Sequence, residues 1–194
     1  MSKTATRPNI DAMTLVPFFV SKAKNRLAAE VAALFLGVTL IGLLAQVAIP
    51  LPWTPVPITG QTFGVALTAL LWGRKRAVAV MIAYLAAGVA GLPVFATTFS
   101  FGATNGYLMG MFFSALLVGE LADRGFTRTW GQAFLAAALG SVLTFTFGLI
   151  VLSFFVPREM LFTAGLLPFL PGDFIKNSLA AWLATRSSRL TTEV

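Results

Sequence analysis

The sequence predicts an all-α membrane protein, a bundle of six transmembrane helices, on three observations. The chain of 194 residues is 57% hydrophobic and 11% charged, with a mean hydropathy of +0.85. A soluble domain of this size carries about 25% charged residues. Its apolar runs are continuous rather than alternating and rich in Ala, Leu and Gly, which favours helices over a barrel. Finally, twelve of the fourteen Lys and Arg fall on one side of a six-span topology, the asymmetry expected of cytoplasmic loops.

Taken in order, residues 1–26 form an N-terminal arm, polar or interrupted, without the pattern of a cleavable signal. Its moderately apolar stretch from Ile10 to Val20 is too short to span and fits either an interfacial segment or a disordered arm. The spans are expected over Leu27–Ile49, Gln61–Gly73, Ala77–Leu92, Tyr107–Leu121, Trp130–Val156 and Leu161–Ala184. The second and third are short of the usual ~20 residues, so they either absorb loop residues or cover part of the bilayer. The transmembrane domain is thus 27–189, with a tail over 190–194.

The basic residues define one face. They are Lys3, Arg7, Lys22, Lys24 and Arg26, then Arg74, Lys75 and Arg76, then Arg124 and Arg128, then Arg186 and Arg189. Both termini are therefore expected in the cytoplasm, in a cell membrane crossed several times. In this setting the net charge of +7 reads as topology and contact with anionic lipid, not as nucleic-acid binding. Eight of the ten prolines fall in or beside loops on the opposite face. There the connections 50–60, 93–106 and 157–172 are longer, as a site open to the outside requires.

Cysteine and histidine are absent from the sequence. That excludes disulfides, the usual zinc sites and histidine-based catalysis. An intramembrane enzyme is disfavoured, and neither a metal nor a cofactor is expected. The intramembrane ionisable groups are Asp173 and Lys176, three residues apart and on one face of a running helix. Asp173 either caps a helix after Pro171-Gly172, with Lys176 neutralising it, or marks a broken helix at a substrate site. Glu30 either snorkels or pairs with Arg26. The small residues Ala28, Ala32, Ala33 and Gly37 allow close approach of another helix, within the bundle or from a partner.

Two outer connections have the composition of ligand-binding loops, apolar walls with a few neutral hydrogen-bonding groups. The stretch IPLPWTPVPITGQTF, Ile49 to Phe63, supplies Trp53 as a wall and Thr54, Thr59 and Gln61 as polar groups. The stretch from Gly91 to Gly110 supplies Phe95, Thr97, Thr98, Ser100, Asn105 and Tyr107, and no charge lies between Arg76 and Glu120. Facing one Asp and one Lys, such loops suit a small apolar ligand with an amide-like head. Its N–H groups would meet a carboxylate and its C=O an ammonium.

The runs P-W-T-P-V-P-I-T-G-Q-T (Pro52 to Thr62), G-L-P-V-F (Gly91 to Phe95), G-Y-L-M-G (Gly106 to Gly110) and P-F-L-P-G-D-F-I-K (Pro168 to Lys176) resemble the BioY family. These are the biotin-specific substrate-binding S components of energy-coupling factor (ECF) vitamin transporters. The resemblance covers roughly Leu27 to Arg186. It implies a six-helix S-component fold and high-affinity capture of biotin from the outside under loops 50–60 and 93–106. It implies that Asp173 and Lys176 bind the ureido ring, and that Gln61, Thr54, Tyr107 and Asn105 line the pocket; the loop composition adds Phe95, Trp53 and Thr98 to the expected binding residues. It also implies partners: a transmembrane coupling protein and two ATPase subunits, docking on Ala28, Ala32 and Ala33. The bundle would tilt against the coupling protein to release biotin inside. Where some members carry an arginine after G-Y, this chain has Leu108, so the group that meets the biotin carboxylate stays open among Thr97, Thr98, Ser100 and loop amides. A solitary biotin carrier, or an S component for another vitamin, is the alternative.

Overall fold

The computed structural model describes residues 14–97 and 102–192, with the side chains of 190–192 left aside. Six helical segments build the bundle. They are α2 (Arg26–Gln46), the two arms of α3 (Gln61–Val89), α4 (Asn105–Leu121), α5 (Trp130–Leu152) and α7 (Leu170–Thr192). Two short helices, α1 (Leu15–Lys22) and α6 (Leu161–Gly165), accompany them. Helix α2, helix α4 with the π-turn Ala122–Phe126 that extends it, and α5 are long and apolar enough to cross a membrane. Their outward faces are greasy: Phe35, Leu43, Val142 and Ile150 are exposed, as lipid-facing residues must be.

Local sequence sets the boundaries. Asn25 caps α2, its Oδ1 accepting from Ala28 N at 3.1 Å, and Thr129 caps α5, its Oγ1 accepting from Gln132 N at 3.3 Å. Both are preferred N-cap residues. Helix α2 ends at Gln46, short of the expected Ile49, because Ala48–Ile49 pairs antiparallel with Ile58–Thr59. The prolines after Ile49 could not have extended the helix.

The expected second and third spans are the two arms of α3, and the turn between them is smaller than the basic run suggested. Gly73 alone breaks the helix, with φ 71° and ψ 173°. This backbone is natural only to glycine. Arg74, Lys75 and Arg76 are already helical. The turn is anchored at the end of α4: Arg74 N donates to Asp123 Oδ2 at 2.9 Å, and Glu120 pairs with Arg74 at 3.1 Å and Arg124 at 2.8 Å. Glu30 bonds to Arg76, not to Arg26, through Nε at 2.7 Å and Nη2 at 2.5 Å. The pair joins α2 to α3, whereas Arg26 opens its own helix in the first turn. Of the N-terminal arm, Leu15–Lys22 is helical and rests against α2, α3 and α7 through buried Phe18 and Val20.

Helices α4 and α5 pack most closely. A Cβ at Gly110 would lie 2.6 Å from Thr144 Cα, and one at Gly106 would lie 2.4 Å from Phe147 O. On α5, Gly140, Thr144 and Gly148 return the small face. Small residues every four positions on both helices let the backbones approach, the usual device for helices in lipid. The centre of the molecule is filled by Ile41, Leu70, Met81 and Tyr84, all wholly buried.

Candidate functional site

The site lies at the end of the bundle opposite the basic turn. The two-stranded ladder, with Ala48 opposite Thr59 and Ile49 opposite Ile58, turns the proline stretch into a hairpin loop. Gly60 N donates to Val47 O at 3.0 Å, closing it onto α2. Four prolines fix φ and leave fewer N–H groups to satisfy near the membrane. Inside the loop, Thr54 is buried and its Oγ1 accepts from Val56 N at 3.2 Å, while Trp53 is 53% exposed. The loop thus presents Val56, Pro57 and Thr59 inward, not Trp53 and Thr54.

The second loop is held from behind. Gln46 Nε2, at the end of α2, donates to Pro93 O at 3.3 Å and Phe95 O at 3.2 Å. Tyr84 Oη donates to Val94 O at 3.0 Å, and its ring packs edge-on against Phe95 at 5.2 Å. This places Phe95, Ala96 and Thr97 on the wall of a cavity. Thr98 and Ser100 lie outside the described residues.

The cavity holds about 730 Å³ of open space, its mouth included, and is closed by Tyr107, Met111, Phe145 and Phe169. Tyr107 Oη donates to Gly165 O at 2.7 Å, so its ring rather than its hydroxyl faces the space. Gly148 makes room for that ring: a Cβ there would lie 2.4 Å from Tyr107 Cε1. Asn105, in the first turn of α4, lines the cavity, and its amide has no partner among the described residues.

The charged groups come from α7. The chain breaks after α6 at Gly165 and restarts at Leu170, with Pro171 in the first turn, where its missing N–H is harmless. Asp173 is inside α7, its N–H already bonded to Phe169 O at 2.8 Å, and its carboxylate does not serve as a cap. Oδ1 accepts from Ser141 Oγ at 2.9 Å and Oδ2 from Asn177 Nδ2 at 2.8 Å. Asn177 also reaches Ser141 at 2.9 Å, closing a triangle. Lys176 takes another direction. Its Nζ donates to Thr59 O at 2.6 Å and Thr62 Oγ1 at 3.3 Å, tying α7 to the base of the proline loop. Asp173 and Lys176 both line the cavity without forming a direct ion pair. A carboxylate with lone pairs to spare and an ammonium with three N–H donors stand side by side in an apolar chamber.

Of the predicted residues, Asp173, Lys176, Gln61, Asn105, Tyr107 and Phe95 come together around one cavity, and Trp53 and Thr54 do not line it. Sequence reasoning missed Ser141, Asn177, Tyr84 and Gln46. Asn177 had a signal, lying four residues after Asp173 on the same helical face. Ser141 and Tyr84 had none, since each meets its partner only through helix packing.

Such a bundle, apolar outside and carrying under two loops a mainly apolar cavity with an Asp and a Lys in its wall, defines a solute-binding membrane protein. The chain belongs to the BioY family, whose sequence model matches residues 13–193. It is 36% identical to "Biotin transporter BioY" of Thermotoga maritima over 84% of this chain and 96% of that protein. It is 34% identical to "Biotin transporter BioY" of Rhizobium etli over 74% of this chain and 82% of that one. Its fold is similar to the crystal structure of the S-component for biotin from an ECF-type ABC transporter, with a TM-score of 0.76 and 27% identity. That match covers 84% of this chain and 93% of the other.

Proposed function

We propose that this protein is the biotin-capturing S component of an ECF-type vitamin transporter, and that Asp173 and Lys176 bind the ureido ring. The observation that carries this reading is the pair's arrangement. Asp173 is buried and held by Ser141 and Asn177, and it accepts from one ureido N–H group. Lys176, held at Thr59, donates to the ureido oxygen. Phe95, Phe145 and Phe169 surround the thiophane ring and the aliphatic chain. Asn105 offers a further hydrogen bond to the ligand, and Thr97 lies on the loop that covers it.

The protein sits in the cell membrane with both termini in the cytoplasm, because the basic turn lies on one face with the start of α1 and the end of α7. The cavity then opens outside. Transport is driven by partners, a transmembrane coupling protein and two ATPase subunits, docking on α2. Ala28 and Ala32 are exposed there and Ala33 half-buried, which supports a helix-to-helix contact.

Biotin titrated calorimetrically into the purified protein tests the binding. Asp173→Asn is expected to weaken it by about 1.5–3 kcal/mol, the range for hydrogen bonds to a charged group. An unchanged Kd in the folded variant would remove Asp173 from the ureido site, and stabilisation by another vitamin but not biotin would overturn the substrate. Radiolabelled biotin uptake into liposomes separates the modes of working. Uptake should require the coupling protein, the ATPases and ATP.

A further inference from the structure

The hydroxyl of Tyr84 stands between a cavity residue and a loop, yet Tyr84 itself does not line the cavity. It is wholly buried in the second arm of α3. Its oxygen lies 3.0 Å from Val94 O and 2.5 Å from Gln61 Nε2. A carbonyl oxygen can only accept, and a phenol carries one proton. Tyr84 therefore donates to Val94, and its own oxygen is left to accept. Only the NH₂ end of the Gln61 amide satisfies it. The reverse orientation would set two acceptors against one proton in a buried place, leaving one unpaired. Oε1 of Gln61 is then turned away from Tyr84. Its protein contact is the Thr59 hydroxyl at a long 3.4 Å, and Gln61 lines the cavity.

We propose that Tyr84 is a positioning residue that fixes the hydrogen-bond polarity of Gln61, so that this wall offers the ligand an acceptor and not a donor. The chain of bonds from Val94 through Tyr84 to Gln61 also joins the second loop to the start of α3. The loop that carries Phe95, held also by Gln46, and the amide that reads the ligand thereby share one hydroxyl. The wall selects ligands that present an N–H to it, as the ureido group does with the N–H that Asp173 does not take. In naming the ligand, the inference rests on the biotin reading above.

The test is a double-mutant cycle on biotin affinity with Tyr84→Phe and Gln61→Ala. Tyr84→Phe keeps the ring against Phe95 and removes one oxygen. In the wild-type background it should raise the biotin Kd about tenfold. In the Gln61→Ala background the same change should alter Kd by less than about twofold. A mere packing role would act alike in both backgrounds, so equal factors overturn the proposal, as does an unchanged Kd in Tyr84→Phe alone. Proton exchange at the Gln61 side-chain amide, measured by NMR without ligand, gives a second readout. Faster exchange in Tyr84→Phe is expected, and unchanged exchange overturns the positioning role. A wild-type protein that fails to bind biotin overturns the biotin reading, and the amide exchange still decides the role of Tyr84.

Discussion

At the scale of single residues, the site depends on where its charges are anchored. Asp173 is buried, and a buried carboxylate needs donors. It has them in Ser141 and Asn177, which also bond to each other. Ser141→Ala removes one donor to Asp173 and one partner of Asn177. The ligand-free protein should lose about 1.5–3 kcal/mol, read as a lower thermal midpoint in detergent, and biotin should bind more weakly. Lys176 has a different task. By donating to Thr59 O it holds the base of the proline loop, so a bound ligand and this loop share the same ammonium.

At the scale of elements, the seam between α4 and α5 supports the cavity floor. Gly110→Ala would drive a methyl to 2.6 Å from Thr144 Cα. Backbone cannot move aside cheaply, and a loss of about 1–3 kcal/mol is expected. Gly131→Ala is the control, since a Cβ there meets nothing within 4 Å, and it should not lower the midpoint. The proline loop is the second element of consequence. Its two-residue ladder, the Thr54 bond to Val56 and the Lys176 tether make it a stiff unit. Stiffness reduces the ordering entropy lost on capture. A spin label near Thr54 should lose mobility when biotin is added, and equal mobility in both states would argue against closure of this loop.

At the scale of the whole molecule, the two ends of the bundle are built for different work. One end is closed by a glycine turn pinned to Asp123 and by ion pairs. The other end holds the cavity between two loops. The ion pairs are part-exposed, and such pairs contribute about 0–1 kcal/mol. Arg76→Ala should therefore move the thermal midpoint little. Ligand binding acts on the entire fold: biotin at one hundred times its Kd should stabilise the protein by about 2.7 kcal/mol. A thermal shift of that order, cut to about 0.3–1.3 kcal/mol in Asp173→Asn at the same concentration, would tie global stability to the cavity.

The helical membrane fold, the order of the spans and the positions of the two loops were legible in the sequence. Each of these is local: apolar runs, prolines and basic turns act on the chain where they stand. The same locality made Asp173 and Lys176 legible as neighbours on one helix. Tertiary structure alone decided their partners. Ser141 comes to Asp173 from α5 and the Thr59 carbonyl to Lys176 from the proline loop, just as Tyr84 comes to Gln61 from the second arm of α3, and nothing in the segments of Ser141 and Tyr84 marks them. The same holds for Glu30, which passes over Arg26 on its own helix for Arg76 on the next. Hydrogen bonds and ion pairs join whatever the packing of helices brings within about 3 Å, and packing is a property of the whole bundle.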